Sequence, residues 1–185
     1  MLRLVVPLLL LCLAIAPAVP AQEGQFLSEA EAPGAVFPTA DRVVREDVPA
    51  DPALRARIAA HLAGTQPSLW EASYPVFHAA AAGEPLGEAI VVEEIGKHRP
   101  ITFVVGVKPD GTVADVAVMA YREAYGGEIR MPRFLKQYRG RTADEPLRTQ
   151  IDVVNVAGAT LSVDAASRAV RKAQAVARAL RERPS

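Results

Sequence analysis

The sequence predicts an α+β fold: a small antiparallel sheet with a central hairpin, packed against flanking helices that include a long C-terminal one. Three observations carry this. Lys108-Pro-Asp-Gly111 is a turn signal between two apolar strand-like runs, because proline presets one φ and glycine tolerates a positive one. Helix patterns lie on both sides of those strands. Finally, Val163, Ala166, Val170, Ala173, Ala177 and Leu180 recur at helical spacing near the C-terminus.

The elements follow in chain order. Met1-Leu-Arg3 is a short positive start, and Leu4 to Ala16 is apolar. Val19 and Ala21 are small residues where a signal peptidase reads, so residues 1–21 are expected to be a secretory signal peptide cut after Ala21. The alternative is an uncleaved N-terminal anchor, for which the run is short. Leu11 before Cys12 speaks against a lipoprotein signal. Residues 22–38 are rich in Ala, Glu, Gly and Pro and read as a linker or loose lead-in.

Asp51-Pro52 then supplies an N-cap and a first-turn proline. Leu54, Ile58 and Leu62 share a face and Gly64 ends the run, which predicts a helix of about three turns. Strands are expected over Leu86–Ile95, Ile101–Val107 and Val113–Tyr121, the last two as a hairpin. A short helix follows over Pro132–Tyr138, closed by Gly140. Ile151–Val156 reads as a short strand, and Ser162 as the cap of the final helix with Asp164 in its first turn. Residues 22–70 therefore read as lead-in and helix, and 71–183 as the working domain.

Composition excludes several functions. Lys and Arg number 21, as do Asp and Glu, so no nucleic-acid or anionic membrane partner is expected. Basic residues from Arg130 to Arg141 and from Arg168 to Arg183 read as solvated helix surface. Cys12 is the only cysteine and leaves with the signal, so the exported chain has no thiol chemistry; a bacterial periplasm suits it. His61, His78 and His98 share no ligand spacing, so no metal is expected. Glu93 and Glu94 are strand neighbours and face opposite ways, which argues against a catalytic carboxylate pair. Trp70, Tyr74 and Phe77 read as packing residues.

One stretch remains: Asn155-Val-Ala-Gly-Ala-Thr-Leu-Ser162. Ala157, Gly158 and Ala159 are small, and Thr160 offers a hydroxyl where a helix begins. Free N–H groups and the helix dipole favour a phosphate there, and absent side chains give it room. The competing reading is a tight turn with Thr160 or Ser162 as a cap.

Ala157 to Ser162 closely resembles the S/T-G-A-T motif of the FMN-binding domain family, found in the sodium-pumping NADH:quinone oxidoreductase, the Rnf complex and small exported flavoproteins. Ile95-Gly-Lys-His-Arg-Pro-Ile-Thr102 looks like the family's I-G-K-H-x-P-I-T stretch. Lys108 to Gly111 looks like its hairpin. Tyr121 to Arg130, with Phe134 to Gly140, looks like its E-x-x-G segment in small exported members. These blocks stand in the family's order from Leu86 to Ala173. Two positions depart from the pattern: Val154 where the family has an acid, and Ala157 where it prefers Ser or Thr.

The resemblance implies that FMN is the cofactor and that a flavin transferase attaches it through its phosphate to Thr160. Gly158 and Ala159 would allow close approach, with Leu161 and Ser162 opening the helix beneath the phosphate. Glu123, Tyr125, Gly126 and Gly127 would line the flavin, and Lys97 and His98 would meet the phosphate or ribityl chain. The implied role is an electron carrier between a membrane-bound redox complex and a periplasmic electron acceptor. Two other roles stay open: a module holding FMN or another anion noncovalently, and a flavin-dependent reductase of a small substrate.

Overall fold

Five antiparallel strands lie side by side in chain order. They are β1 (Arg42–Pro49), β2 (Ser73–Ala81), β3 (Glu84–Ile95), β4 (Pro100–Val107) and β5 (Val113–Tyr121). The helices are α1 (Ala32–Val36), α2 (Pro52–His61), α3 (Pro132–Leu135) and the long α4 (Thr160–Arg181). This computed structural model describes residues 24–62 and 64–183. The expected signal peptide, with Cys12 and the cleavage point after Ala21, lies outside the described residues.

Local chemistry sets the elements that the sequence predicts. In the β4–β5 hairpin, Gly111 takes φ +86° and donates its N–H to Lys108 O at 2.9 Å. At the start of α2, Asp51 Oδ1 accepts from the Leu54 amide at 2.7 Å, while Pro52 needs no acceptor. Leu54 and Ile58 are then buried in the main core, where α2 packs against α4, each worth roughly 1.5–3 kcal/mol of apolar burial.

The sheet separates two apolar layers. One face packs against α4 and α2 and forms the main core, with Phe103, Val105, Ile90 and Tyr74 among its largest members. The other face carries Phe77, Ala89, Val104 and Met119, and α1 covers them with Ala32, Val36 and Phe37. The segment read as a loose lead-in is thus docked. Its backbone extends the sheet edge, where Phe26 N donates to Met119 O at 2.7 Å and Tyr121 N to Gly24 O at 2.8 Å. This covers an edge that would otherwise be open to pairing with other chains.

Four further readings are corrected. β1 and β2 were not anticipated, because Arg42–Pro49 mixes charges with valines and shows no clean alternation; its pairing with β2 decides it. Ile151–Val156 is not a strand: it makes one bridge, Thr149 to Val153. Its amides find local partners instead: those of Ile151, Asp152 and Val153 donate to Arg148 O, and Val154 N donates to Gln137 Oε1 at 2.7 Å. Ser162 does not cap α4; the N-cap is Ala159, without a side-chain bond. Nor is the Arg168–Arg183 stretch uniformly solvated, since Lys172 is fully buried.

Lys172 sits where α4 crosses β3. Its Nζ donates to Leu69 O and Glu71 Oε1, both at 2.9 Å, and lies 2.9 Å from Glu94 Oε1. Glu94 is also fully buried, and its other oxygen accepts from the Ser68 amide and hydroxyl and from Arg168 Nε. Small residues on α4 let the helix approach closely enough for these long side chains to close on β3. Two cations and two carboxylates neutralise one another there, so the burial is tolerated.

Candidate cofactor site

The site grows out of the turn before α4. Gly158 takes φ +77°, a conformation an L side chain rarely adopts, and the chain then enters the helix at Thr160. The first intrahelical bond is Val163 N to Ala159 O at 2.9 Å. The amides of Thr160, Leu161 and Ser162 therefore head the helix without an intrahelical acceptor, at the positive end of a 22-residue dipole. Thr160 is exposed, and its Oγ accepts a hydrogen bond from Asn155 Nδ2 at 3.0 Å. Asn155 is itself held, because its Oδ1 accepts from the Val156 amide.

Two loops face this turn across a cavity of about 440 Å³, within the roughly 300–1,000 Å³ typical of small-molecule sites. The first is the β3–β4 connection. Glu123 Oε1 accepts from the amides of His98 at 2.5 Å and Arg99 at 2.9 Å. Burial acts to raise the Glu123 pKa, but the His98, Arg99 and Lys97 amides outweigh it and hold the carboxyl below its ordinary range. A Cβ on Gly96 would stand 2.9 Å from Glu123 Oε1 and from Ile101 Cδ1, so a larger residue there would make both side chains shift.

The second loop follows β5. The Tyr121 hydroxyl donates to Tyr125 O and lies 3.1 Å from Ser162 Oγ, tying the strand end, the loop and the first turn of α4 together. Burial pushes the Tyr121 phenol up, against the pull of the Ser162 hydroxyl, so it remains a neutral donor. Gly126 takes φ +83°, and a Cβ there would stand 2.9 Å from Tyr121 Oη and 3.0 Å from Ala159 Cβ.

Lys97, His98, Glu123, Tyr125, Gly158, Ala159, Thr160, Leu161 and Ser162 thus line one cavity. Lys97 and His98 are exposed, and Tyr125 and Leu161 present apolar surface at 83% and 49% exposure. The remaining sequence candidates lie beside it: Ala157 is exposed on the turn, Gly126 packs beneath, and Gly127 stands against the Arg130 side chain. Trp70, Tyr74 and Phe77 belong to the packing layers.

Three contributors were missed. Ala124 lines the cavity, Asn155 holds the Thr160 oxygen and Tyr121 braces the helix start. Asn155 lies inside the singled-out stretch and five residues before Thr160, a spacing from which a side chain can reach back over a turn. No local signal marks Tyr121, whose partner Ser162 is 41 residues away.

Residues 96–175 match a family described as the FMN-binding domain. They are an FMN-binding domain. The match begins at the Gly96 loop and runs through β4, β5 and the motif turn into α4. FMN is accordingly the cofactor. No curated protein matches the chain. The residues present fit this group: a helix start with free amides, a glycine turn without a Cβ, an exposed hydroxyl and a cavity of suitable size converge in the FMN-binding domain.

Val154 acquires a meaning here. It is 74% exposed and does not line the cavity. The departure from the family at this position therefore concerns the outer surface of the FMN-binding domain, not its cofactor cavity.

Proposed function

We propose that this protein is an exported electron carrier whose FMN is joined to Thr160 through a phosphoester. It would pass electrons from a membrane-bound redox complex to a periplasmic electron acceptor. The observation that carries the reading is the exposed Thr160 hydroxyl on the wall of the cavity, at the mouth of α4.

Attachment is a phosphoryl transfer catalysed by a flavin transferase. The Thr160 Oγ–P bond would form as the bond from phosphorus to the donor's leaving group breaks, and the hydroxyl proton would pass to solvent; no electrons change hands. Asn155 Nδ2 holds one side of Oγ, which leaves the rest of the oxygen free to react. The helix amides counter the phosphate charge. Bound FMN supplies one- and two-electron redox chemistry, while the chain positions it and sets its surroundings. Lys97 and His98 bring donors, and Tyr125 and Leu161 bring apolar surface, to the same cavity.

Val154 and Ala157 favour a second reading, in which FMN is held noncovalently because a transferase does not read the turn. Both are exposed, where such an enzyme would make contact. Mass spectrometry of the denatured protein, produced with a flavin transferase, separates the two. The covalent reading expects a chain heavier by FMN minus water, with Thr160→Ala abolishing the gain. A wild-type chain that sheds all its flavin on denaturation would falsify it.

A further inference from the structure

Thr160 also stands on the wall of a second cavity, of about 530 Å³, built from the loop after Glu145 and one face of α4. Along that face Asp164, Arg168 and Arg171 follow Thr160, and Arg148 enters from the loop. The three arginines are not equivalent. Arg168 is anchored: Nε lies 3.1 Å from the buried Glu94 Oε2, and Nη2 donates to Ile95 O at 2.8 Å. That leaves Nη1 uncommitted beside the cavity.

Arg171 and Arg148 have no carboxylate within 4 Å of their guanidinium groups among the described residues. Arg171 donates only to the Glu145 carbonyl. The neighbouring acids are engaged elsewhere. Asp152 accepts from the Leu147 and Arg148 amides, and Asp164 from the Thr149 hydroxyl. Burial, with the nearby Arg148 charge adding to it, pushes the Arg171 pKa down against the pull of Asp152.

We propose that this cavity is a phosphate-binding site in which Arg148 and Arg171 hold the oxyanion over an Arg168 fixed by Glu94. Guanidinium groups suit the task because their paired N–H donors match two oxygens of a tetrahedral anion. Thr160 lies 11 residues before Arg171 on α4, about 16 Å along the helix, too far for a phosphate esterified to Thr160 to reach the Arg171 guanidinium. The ligand is therefore a phosphorylated small molecule separate from the cofactor.

Calorimetric titration of the purified flavin-free protein with inorganic phosphate, at constant ionic strength against chloride, tests the site without requiring the Thr160 adduct. Saturable one-to-one binding is expected. An Arg148→Gln, Arg171→Gln double variant should bind at least about tenfold more weakly, with circular dichroism unchanged. Arg168 is left intact because removing it would strip a partner from a buried carboxylate.

Repeating the titration on flavinylated protein tests the source. Retained phosphate binding is expected for a ligand separate from the cofactor, and loss of binding on flavinylation overturns that assignment. Absence of saturable binding to wild type, or equal affinity in a folded double variant, overturns the proposal. The adduct itself is read by mass, so its failure is seen separately.

Discussion

Thr160 and Lys172 stand on the same helix, about 18 Å apart along its axis, and their surroundings are opposites. Thr160 is exposed, in a turn of small residues, with one hydrogen bond from a neighbouring asparagine. Lys172 is fully buried and closes on two carboxylates and two carbonyls. The helix thus joins a site built for access to a cluster built for cohesion. Their difference teaches that cofactor chemistry and stability are separable in this fold, because each depends on a different stretch of α4.

The largest effect should come from Lys172→Ala. It leaves the half-buried Glu71 without a cation and the buried Glu94 with Arg168 alone, and such breaks cost about 3–5 kcal/mol. Urea unfolding should show that loss, while the fraction of folded chain carrying FMN stays constant. A fall in cofactor content of the folded fraction would break the proposed separation.

Gly126→Ala probes the boundary between the regions. Positive φ and the close approach to Tyr121 Oη and Ala159 Cβ should together cost about 1–3 kcal/mol, and shift the start of α4. Here stability and flavin content should fall together, measurable by urea titration and flavin absorbance.

Asn155→Ala should act on the site alone. Losing the bonds to Thr160 and from the Val156 amide costs about 0.5–1.5 kcal/mol each at most, but among the described residues the Thr160 oxygen is left with no side-chain partner. The initial rate of adduct formation, followed by mass spectrometry, should drop several-fold with little change in the unfolding midpoint.

The smallest effect is a pH dependence. Glu123 has a folded-state pKa below its ordinary 4.5. Its contribution is therefore complete above that ordinary value and is lost as pH falls through the lower folded one. In acid the 96–99 loop should loosen, with faster amide exchange at His98 and Arg99. Glu123→Gln should remove most of that acid-dependent step; an unchanged step in the variant would assign it to another group.

Much of the site was legible because its signals are local. The glycine turn, the small residues before Thr160 and the Gly-Lys-His loop each stand within a few residues of one another, and their backbone demands show in the residue types. Glu123 was legible as a site residue but not in its role, since its carboxylate serves amides 24 and 25 residues away. The role of Asn155 was not legible, as only the folded turn brings its amide to Thr160.

By itself, the sequence determined the α+β class, the β4–β5 hairpin, the start of α2, the apolar stripe of α4 and the glycine turn that leads into it at Thr160. These depend on short-range rules: proline and glycine dihedrals, a capping carboxylate and a helical period. Tertiary structure alone decided that Arg42–Pro49 is a strand, that the Ala32–Val36 segment covers a sheet face, that Ser162 bonds to Tyr121 and that Lys172 is buried. The physical reason is common to all four. Each depends on a partner brought near by folding, and a charged or mixed segment has no preference until that partner supplies its hydrogen bonds and its apolar cover.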